Sequence, residues 1–361
     1  MHLGSLHLHQ FRCFPSLALA MPDEVTLLHG KNAQGKTSVL EAACVLLRLQ
    51  SPRAKAESLK ECIMMPEKSF VVGGRLEGGG ERELRFQYRE GGRRLLVDGE
   101  PQKGGSEFLR HSARVVWMAN DDLALVRGGG EGRRRFLDFT ASQLFPGYRE
   151  ALKMYEKALR TRNFLLKRDS PPKWDQIDAY TRILEQQGEI VTARRRALVD
   201  LLEPRAGAAQ RQIGGGEESL EIRYLSASGD GDDLGAELTA LRGEELRRRQ
   251  TAAGPHRDDL ELALNGLSAS KFASEGQQRT IALALKLGQA RLFLEARQEA
   301  PVMLIDDVFG ELDPERRNAL MAAWPPGSQK IITTTHLNWL DSEFQGASRY
   351  LVANGSVVRE E

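Results

Sequence analysis

The sequence predicts an α/β fold, a mixed sheet into which an α-helical lobe is inserted, and three observations carry the prediction. Gly30-Lys31-Asn32-Ala33-Gln34-Gly35-Lys36-Thr37 follows a short apolar run near the start of the chain and precedes a helical pattern. A second apolar run near the other end, Val302-Met-Leu-Ile-Asp306-Asp307, finishes in two carboxylates. Between them, short alternating segments give way to long charged stretches of helical periodicity.

In chain order, the alternation at Leu6 and Leu8 and the run Leu17 to Ala20 read as strands, and so does Val25 to Leu28. After Gly35, the spacing of Val39, Leu40, Ala43, Leu46 and Leu47 predicts a helix. Phe70 to Val72, Leu84/Phe86/Tyr88, Leu95 to Val97 and Val115 to Met118 are further strands, with a turn at Asp98-Gly99. A boundary is expected between residues 105 and 125.

Leu152, Tyr155 and Leu159 then mark one helix, and Trp174, Ile177, Tyr180, Leu184, Val191, Leu198 and Leu201 a second, with Pro171-Pro172 between them. The second is expected to run from Lys173 to about Gln212, on the order of 60 Å at 1.5 Å per residue. Gln187 and Arg194 interrupt its apolar seam, which favours a helical hairpin or lobe over an extended coiled coil. Gly214 to Gly216 end the helical region, Leu220/Ile222/Tyr224 read as a strand, and Ser226 to Asp233 form an acidic loop. Leu260/Leu262/Leu264 with Asn265-Gly266 predict a strand entering a hairpin, followed by a largely apolar helix from Glu275 to about Glu295. The expected organisation is one lobe from 1–115 and 218–361, with an α-helical lobe from 116–217.

The 361 residues suffice for one large or two ordinary domains, and 51 basic against 50 acidic residues leave no global field to draw the chain onto nucleic acid. Cys13, Cys44 and Cys62 are odd in number and lack a C-x-x-C spacing, which argues against a disulfide framework or zinc site. No apolar run approaches the roughly 18 residues of a membrane span, and His2, His7, His9 and Arg12 interrupt the first segment, so no secretory signal is read there. A cytoplasmic location is the expectation.

The spacing Gly-x-x-x-x-Gly-Lys-Thr has a job for each part. Backbone N–H groups of residues 30 to 35 cradle phosphates, Lys36 reaches the β- and γ-oxygens, and the Thr37 hydroxyl ligates magnesium. The helix that follows directs its N-terminus at the same anion. Together with Lys36, Asp306 reads as the magnesium anchor and Asp307 as the group that orients or deprotonates the attacking water. His336, after the strand-like residues 330–335, is a candidate contact to the γ-phosphate or that water. ATP and Mg2+ are therefore the expected ligands of an ATPase head.

Phe272-Ala-Ser274-Glu-Gly276-Gln277-Gln-Arg279 places a hydroxyl and a glycine at a helix start, a second anion-binding geometry. One chain has no need of two γ-phosphate sites. A two-fold dimer, in which Ser274, Gly276 and Gln277 of one subunit cover the ATP held by Lys36 of the other, uses both. Ser274 as a plain N-cap is the other reading.

These segments, with Glu311-Leu-Asp313, stand in the order found in an ABC-type ATPase head, and several resemble the RecF family specifically. Those are Gly30 to Thr37, Gly254-Pro-His256-Arg257-Asp258-Asp259, Phe272 to Arg279 and Asp306-Asp-Val-Phe-Gly-Glu-Leu-Asp313, and the resemblance spans nearly the whole chain. It implies a two-lobed head related to those of structural-maintenance-of-chromosomes proteins, ATP-dependent homodimerisation, and weak DNA-dependent ATPase activity. It further implies binding of gapped, double- and single-stranded DNA in recombinational repair, in cooperation with RecR and RecO. Arg12 stands where related heads carry a nucleotide-contacting arginine, and the segment from 51 to 54 departs from the family pattern.

Local basic clusters at Arg133-Arg134-Arg135, Arg194-Arg195-Arg196 and Arg247-Arg248-Arg249 are candidates for phosphate contacts, the first two above all. Such runs also occur as solvated helix faces. The alternatives are an ATPase subunit of another ABC-type assembly, for which Ala273-Ser-Glu-Gly-Gln277 replaces the usual Leu-Ser-Gly-Gly-Gln, and a scaffold that holds ATP without hydrolysing it.

Overall fold

A computed structural model describes residues 1–361 except 23, 54–58, 169–171, 229–232, 338, 341–343, 345 and 361. Position 54, Pro171 and positions 229–232 of the acidic loop thus lie outside the described residues. The chain divides into two compact units, the first made of 1–121 and 289–361 and the second of 122–288.

The first unit opens with strands β1 (His2–Phe11), β2 (Phe14–Ala20) and β3 (Val25–His29) and helix α1 (Lys36–Arg48). It continues with β4 (Ser69–Glu77), β5 (Arg82–Arg89), β6 (Gly92–Val97), β7 (Glu100–Pro101), α2 (Gly105–Leu109) and β8 (Val115–Ala119). One antiparallel sheet has the order β2-β1-β4-β5-β6-β7. Its hairpin at Asp98-Gly99 takes positive φ at both turn residues, as the short connection demands.

The second unit contains α3 (Ala124–Arg127), α4 (Gly130–Leu144), α5 (Tyr148–Arg168), α6 (Trp174–Gly214), β9 (Leu220–Leu225), α7 (Leu234–Ala240), α8 (Arg242–Arg248), β10 (Asp259–Leu264), β11 (Leu267–Ser268) and α9 (Ala269–Phe272). Helix α10 (Glu275–Arg297) leads from the second unit back into the first, which closes with β12 (Val302–Asp306), α11 (Pro314–Ala322), β13 (Lys330–Thr334), β14 (Ser348–Ala353) and β15 (Ser356–Glu360).

The sheet that matters for the site has the order β15-β14-β3-β13-β12-β8. All pairings from β14 to β8 are parallel, and β15 is an antiparallel edge. Parallel strands need cover on both faces, and β12 obliges with Val302 to Ile305 all fully buried. Helix α1 lies against β1, β4 and β5 of one sheet and β8, β12 and β13 of the other. A helix between two sheets has no solvent face, which is why Val39, Leu40 and Ala42 to Leu47 are apolar all round and fully buried.

In the second unit α5 and α6 form an antiparallel hairpin, pairing Tyr148 with Arg195 and Arg162 with Thr181. Gly188 lets the two helices close, since a Cβ there would lie 3.3 Å from the Tyr155 ring and 3.2 Å from Leu234. The 41-residue helix α6 is therefore half of a hairpin, and its last turns pack on β9. Gly288 similarly meets the Ala206 backbone, where a Cβ would come within 2.9 Å.

One expectation of the sequence requires correction. Residues 218–288 were assigned to the first lobe, and the structure places them in the second unit, which is consequently not purely helical. The strands β9, β10 and β11 form a separate antiparallel sheet, and Leu220, Ile222, Leu260, Leu262 and Leu264 are buried as β9 meets α6 and β10 meets α4.

Candidate functional site

Strand β3 ends at His29, and the loop that follows can be built only from residues that tolerate its path. Gly30 has φ +144°, and a Cβ there would lie 2.3 Å from the Val352 carbonyl oxygen. Gly35 has φ +104°, with Cys13 Sγ at 2.7 Å from the same imagined atom. Ala33 also sits in the left-handed region, at φ +63°. Gln34 anchors the loop from outside by accepting the Asn354 N–H at 2.7 Å. Helix α1 starts at Lys36 with Gly35 as its N-cap and no side chain bonded there, so its first turn is open to an anion.

Lys36 Nζ donates to the carbonyls of Gly30 and Lys31 at 2.6 and 2.9 Å. Burial lowers its pKa from the ordinary lysine value, and Asp307 and Asp306 oppose that shift. The parallel register sets the C-terminal end of β12 beside those of β13 and β8, pairing Asp306 with Thr333 and with Ala119. Asp306 Oδ1 accepts from Thr37 Oγ1 at 2.8 Å and from Thr333 Oγ1 at 2.7 Å.

Asp307 takes φ +55°, its N–H donating to Thr333 Oγ1 at 3.0 Å while Asn120 Nδ2 donates to its carbonyl at 3.0 Å. Burial raises the Asp307 carboxyl above the usual range, Lys36 pulls it back, and Asp306 adds to the rise. A cleft of about 860 Å3 is lined by Lys36, Thr37, Asn120, Asp306, Asp307 and Arg12, among others.

The donor set suits a hydrated magnesium ion held with phosphate oxygens. No cluster of three or more His, Cys, Asp or Glu side chains able to hold a metal occurs among the described residues. One hydroxyl and one carboxylate, 2.8 Å apart, are what a magnesium ion needs when phosphates and waters complete its shell.

Arg12 reaches the same cleft, but its guanidinium is held by Glu41, with Nε–Oε2 2.8 Å and Nη2–Oε1 2.7 Å, and by the Glu61 carbonyl at 2.6 Å. The Glu41 side chain is fully buried and also accepts from Ser51 Oγ at 2.5 Å. His336 is exposed on the loop after β13, where its carbonyl accepts from Thr334 Oγ1 at 2.9 Å, and it is not among the residues lining the cleft.

Ser274, Gly276 and Gln277 belong to the second unit, at the start of α10. Ser274 N–H donates to Gln277 Oε1 at 2.8 Å and Ser274 Oγ accepts from Gln277 N–H at 3.3 Å, a reciprocal capping box. Gln277 Nε2 is further tied to Glu218 at 2.9 Å.

The arginine clusters are mostly structural. Arg133 forms a bidentate pair with Asp259 at 2.7 and 2.8 Å and bonds the Gly128 carbonyl at 2.7 Å. Arg195 is 3 % exposed, with both Asp138 oxygens at 2.8 Å and the Pro255 carbonyl at 2.6 Å. These two guanidiniums are thereby withdrawn from the surface set expected to meet DNA. Arg135 pairs with Glu131 one turn away, Arg194 is exposed over the Phe145 ring, and Arg196 is partly buried. Arg134 donates to the Asp258 carbonyl at 2.7 Å.

Three residues of the site were not singled out by the sequence. Thr333 joins Asp306 to the Asp307 backbone, Asn120 steadies Asp307, and Glu41 holds Arg12. A polar pair, Asn120-Asp121, directly after an apolar strand was the available signal for the second, because the ends of neighbouring parallel strands share one edge. Glu41, a lone carboxylate inside an apolar helix, was the signal for the third.

A family model described as an AAA domain matches residues 5–204. A DNA replication and repair protein RecF of Synechococcus sp. (strain JA-2-3B'a(2-13)) is 37% identical over 370 residues, covering 98% of this chain and 97% of that protein. The chain belongs to the RecF family. The RecF protein of Chloroflexus aurantiacus is 36% identical over 391 residues and 99% of both chains. A solved structure of the recombination mediator protein RecF with ATP in the RecFOR pathway superposes on this RecF-family chain with a TM-score of 0.88, at 28% identity, over 100% of this chain and 98% of the other. The Smc head domain of Pyrococcus furiosus, bound to the C-terminal domain of ScpA, has a TM-score of 0.55 at 14% identity over 100% and 96% of the two chains, a likeness of fold. The ABC-type α/β head expected from the sequence is the fold observed.

Proposed function

We propose that this chain is an ATP-gated DNA-binding protein of recombinational repair and replication-fork maintenance. The observation that carries the reading is the meeting of Lys36, Thr37, Asp306 and Asp307 in one cleft, in a chain of a family named for DNA replication and repair. Lys36 and the loop from Gly30 to Gly35 bind the phosphates of ATP, and Thr37 and Asp306 would hold magnesium, whose charge would offset that of the phosphates. Asp307, half-buried and fixed through its backbone, orients the attacking water and takes its proton. Arg12, on the cleft wall beside Glu41, is the further nucleotide contact, and His336, exposed outside the cleft lining, joins it only if the loop after β13 moves.

Two chains close over two nucleotides, each Ser274 facing the other chain's ATP. Its Oγ already accepts the Gln277 N–H, which leaves the hydroxyl proton to donate to an anion. ATP binds the closed dimer better than the separate chains and so shifts the equilibrium toward it. The dimer holds DNA at gaps or junctions, and slow hydrolysis releases it, with RecO and RecR as partners in loading recombinase. Among the described residues no helix is long and apolar enough to cross a membrane, in keeping with a cytoplasmic site of action.

Anisotropy of a gapped duplex, titrated with the protein in magnesium without nucleotide, with ADP and with ATP, tests this reading. Tight binding only with ATP, lost in Lys36→Ala, supports it, and equal binding in all three states refutes it. Ser274→Arg is expected to bind ATP yet stay monomeric by light scattering. Dimerisation of that variant with ATP would overturn the composite site.

A further inference from the structure

The string Gly254 to Asp259 takes no part in the nucleotide cleft, and it lines a different cavity. In the second unit Arg134, Asn163, Gln250, Thr251, His256 and Arg257 surround about 350 Å3. Both carboxylates of the string are engaged elsewhere. Asp259 takes Arg133, and Asp258 takes the Tyr224 hydroxyl and the Ala227 N–H, the latter at 2.8 Å.

Among the described residues Arg134 and Arg257 therefore hydrogen-bond only to main-chain atoms, the Asp258 carbonyl at 2.7 Å and the Thr251 carbonyl at 3.0 Å. Neither forms an ion pair among the described residues. The Nε of Arg257 is buried with no hydrogen-bond partner, a costly arrangement for a charged donor. Asn163 Oδ1 accepts from the Thr251 N–H and hydroxyl at 2.7 and 2.8 Å, so its amide NH2 is the end left to donate.

His256 adds no charge to the cavity. Its Nε2 faces the Thr251 carbonyl at 3.3 Å and its Nδ1 the Tyr155 hydroxyl at 2.7 Å, and burial pushes its pKa down to about 4. The lining thus offers two guanidiniums and amide donors, with no carboxylate among its residues. A group with several oxygens and negative charge satisfies such a lining, and guanidinium forks match phosphoryl oxygens in particular.

We propose that this cavity is a phosphoryl-oxyanion site, occupied by a backbone phosphodiester of the DNA. The choice of DNA as the source rests on the functional reading above, whereas the oxyanion chemistry does not.

Two arms test it on the full chain. In the first, anisotropy of a gapped duplex with ATP is measured across salt concentrations for the wild type, Arg257→Gln, Arg257→Lys and Gln250→Glu. The last puts a carboxylate into the lining from an exposed position and removes no buried partner. In the second arm, thermal unfolding of the same proteins is compared in inorganic phosphate and in chloride at equal ionic strength.

Arg257→Gln and Gln250→Glu are expected to lose roughly 10-fold in DNA affinity, with the salt slope of Arg257→Gln shallower by about one. ATP affinity stays unchanged, and Arg257→Lys keeps the slope. Unchanged DNA binding with phosphate stabilising the wild type but not Gln250→Glu assigns the cavity to free phosphate. No difference between wild type and Gln250→Glu in either arm overturns the proposal. A wild type that binds no DNA in any nucleotide state defeats the functional reading alone, since the phosphate arm still reports on the cavity.

Discussion

Thr37, the second residue of α1, donates its hydroxyl to Asp306 at 2.8 Å across 269 positions of sequence. That bond joins the phosphate loop to the end of the strand from the opposite part of the chain. Replacement by valine keeps the shape and removes the oxygen. Thr37→Val should lose roughly 10- to 100-fold in ATP affinity with magnesium present, and little in EDTA. Titration of a fluorescent ATP analogue in the two buffers measures the difference, and equal losses in both would show that the hydroxyl serves the loop rather than a metal.

Asp307→Asn should retain ATP while hydrolysis falls by about 10²- to 10⁴-fold, so that dimers accumulate. Phosphate release by the two proteins at saturating ATP measures the fall, and an asparagine variant as fast as the wild type would remove Asp307 from the proposed role.

Arg194 and Arg195 are neighbours in sequence with opposite fates. Arg195→Ala leaves Asp138 with the Tyr148 hydroxyl but without its cationic partner and should destabilise the second unit by about 3–5 kcal/mol, while Arg194→Ala on the exposed side should cost no more than about 1 kcal/mol. Urea unfolding of both variants gives the comparison. Similar midpoints would mean that the buried pair contributes little.

His256 is held neutral, with Arg257, Arg134 and Arg162 adding to the burial that lowers its pKa from 6.5 to about 4. A group whose folded pKa is depressed contributes stability that is fully present above its unfolded value. That contribution should fade as pH falls from about 6.5 toward 4, by on the order of 3 kcal/mol. His256→Gln, unable to titrate, should flatten this part of the urea-midpoint profile. An unchanged slope would place the acid sensitivity elsewhere.

The nucleotide cleft was legible because each of its residue types is dictated by chemistry that acts locally: glycine for positive φ, lysine for phosphate, carboxylates at a strand end. The strands and the long helices were legible from apolar spacing. Partnerships across the chain were not. Nothing near Arg133 or Arg195 announces Asp259 or Asp138, which lie 126 and 57 positions away, so a run of three arginines read as surface charge. The placement of β9 and β10 failed for a related reason. Alternation in Leu220/Ile222 and Leu260/Leu262/Leu264 says that one face is buried, without saying that α6 and α4 bury it.

Strand β3, which carries the phosphate loop, lies between β13 and β14. Both flanking strands leave the ribosome some 300 residues after it, whereas residues 122–288 form their unit from a continuous stretch. At roughly 5–20 residues per second of synthesis, β3 waits tens of seconds with both edges unpaired. This order predicts that the middle unit folds first during translation and that the phosphate grip forms only after β13 and β14 have emerged. A nascent chain stalled at about residue 335, with 122–288 outside the ribosomal tunnel and β13 still within it, should therefore yield a protease-resistant fragment covering 122–288 while the segment around Lys36 is cleaved, and protection of both would show that β3 finds a temporary partner.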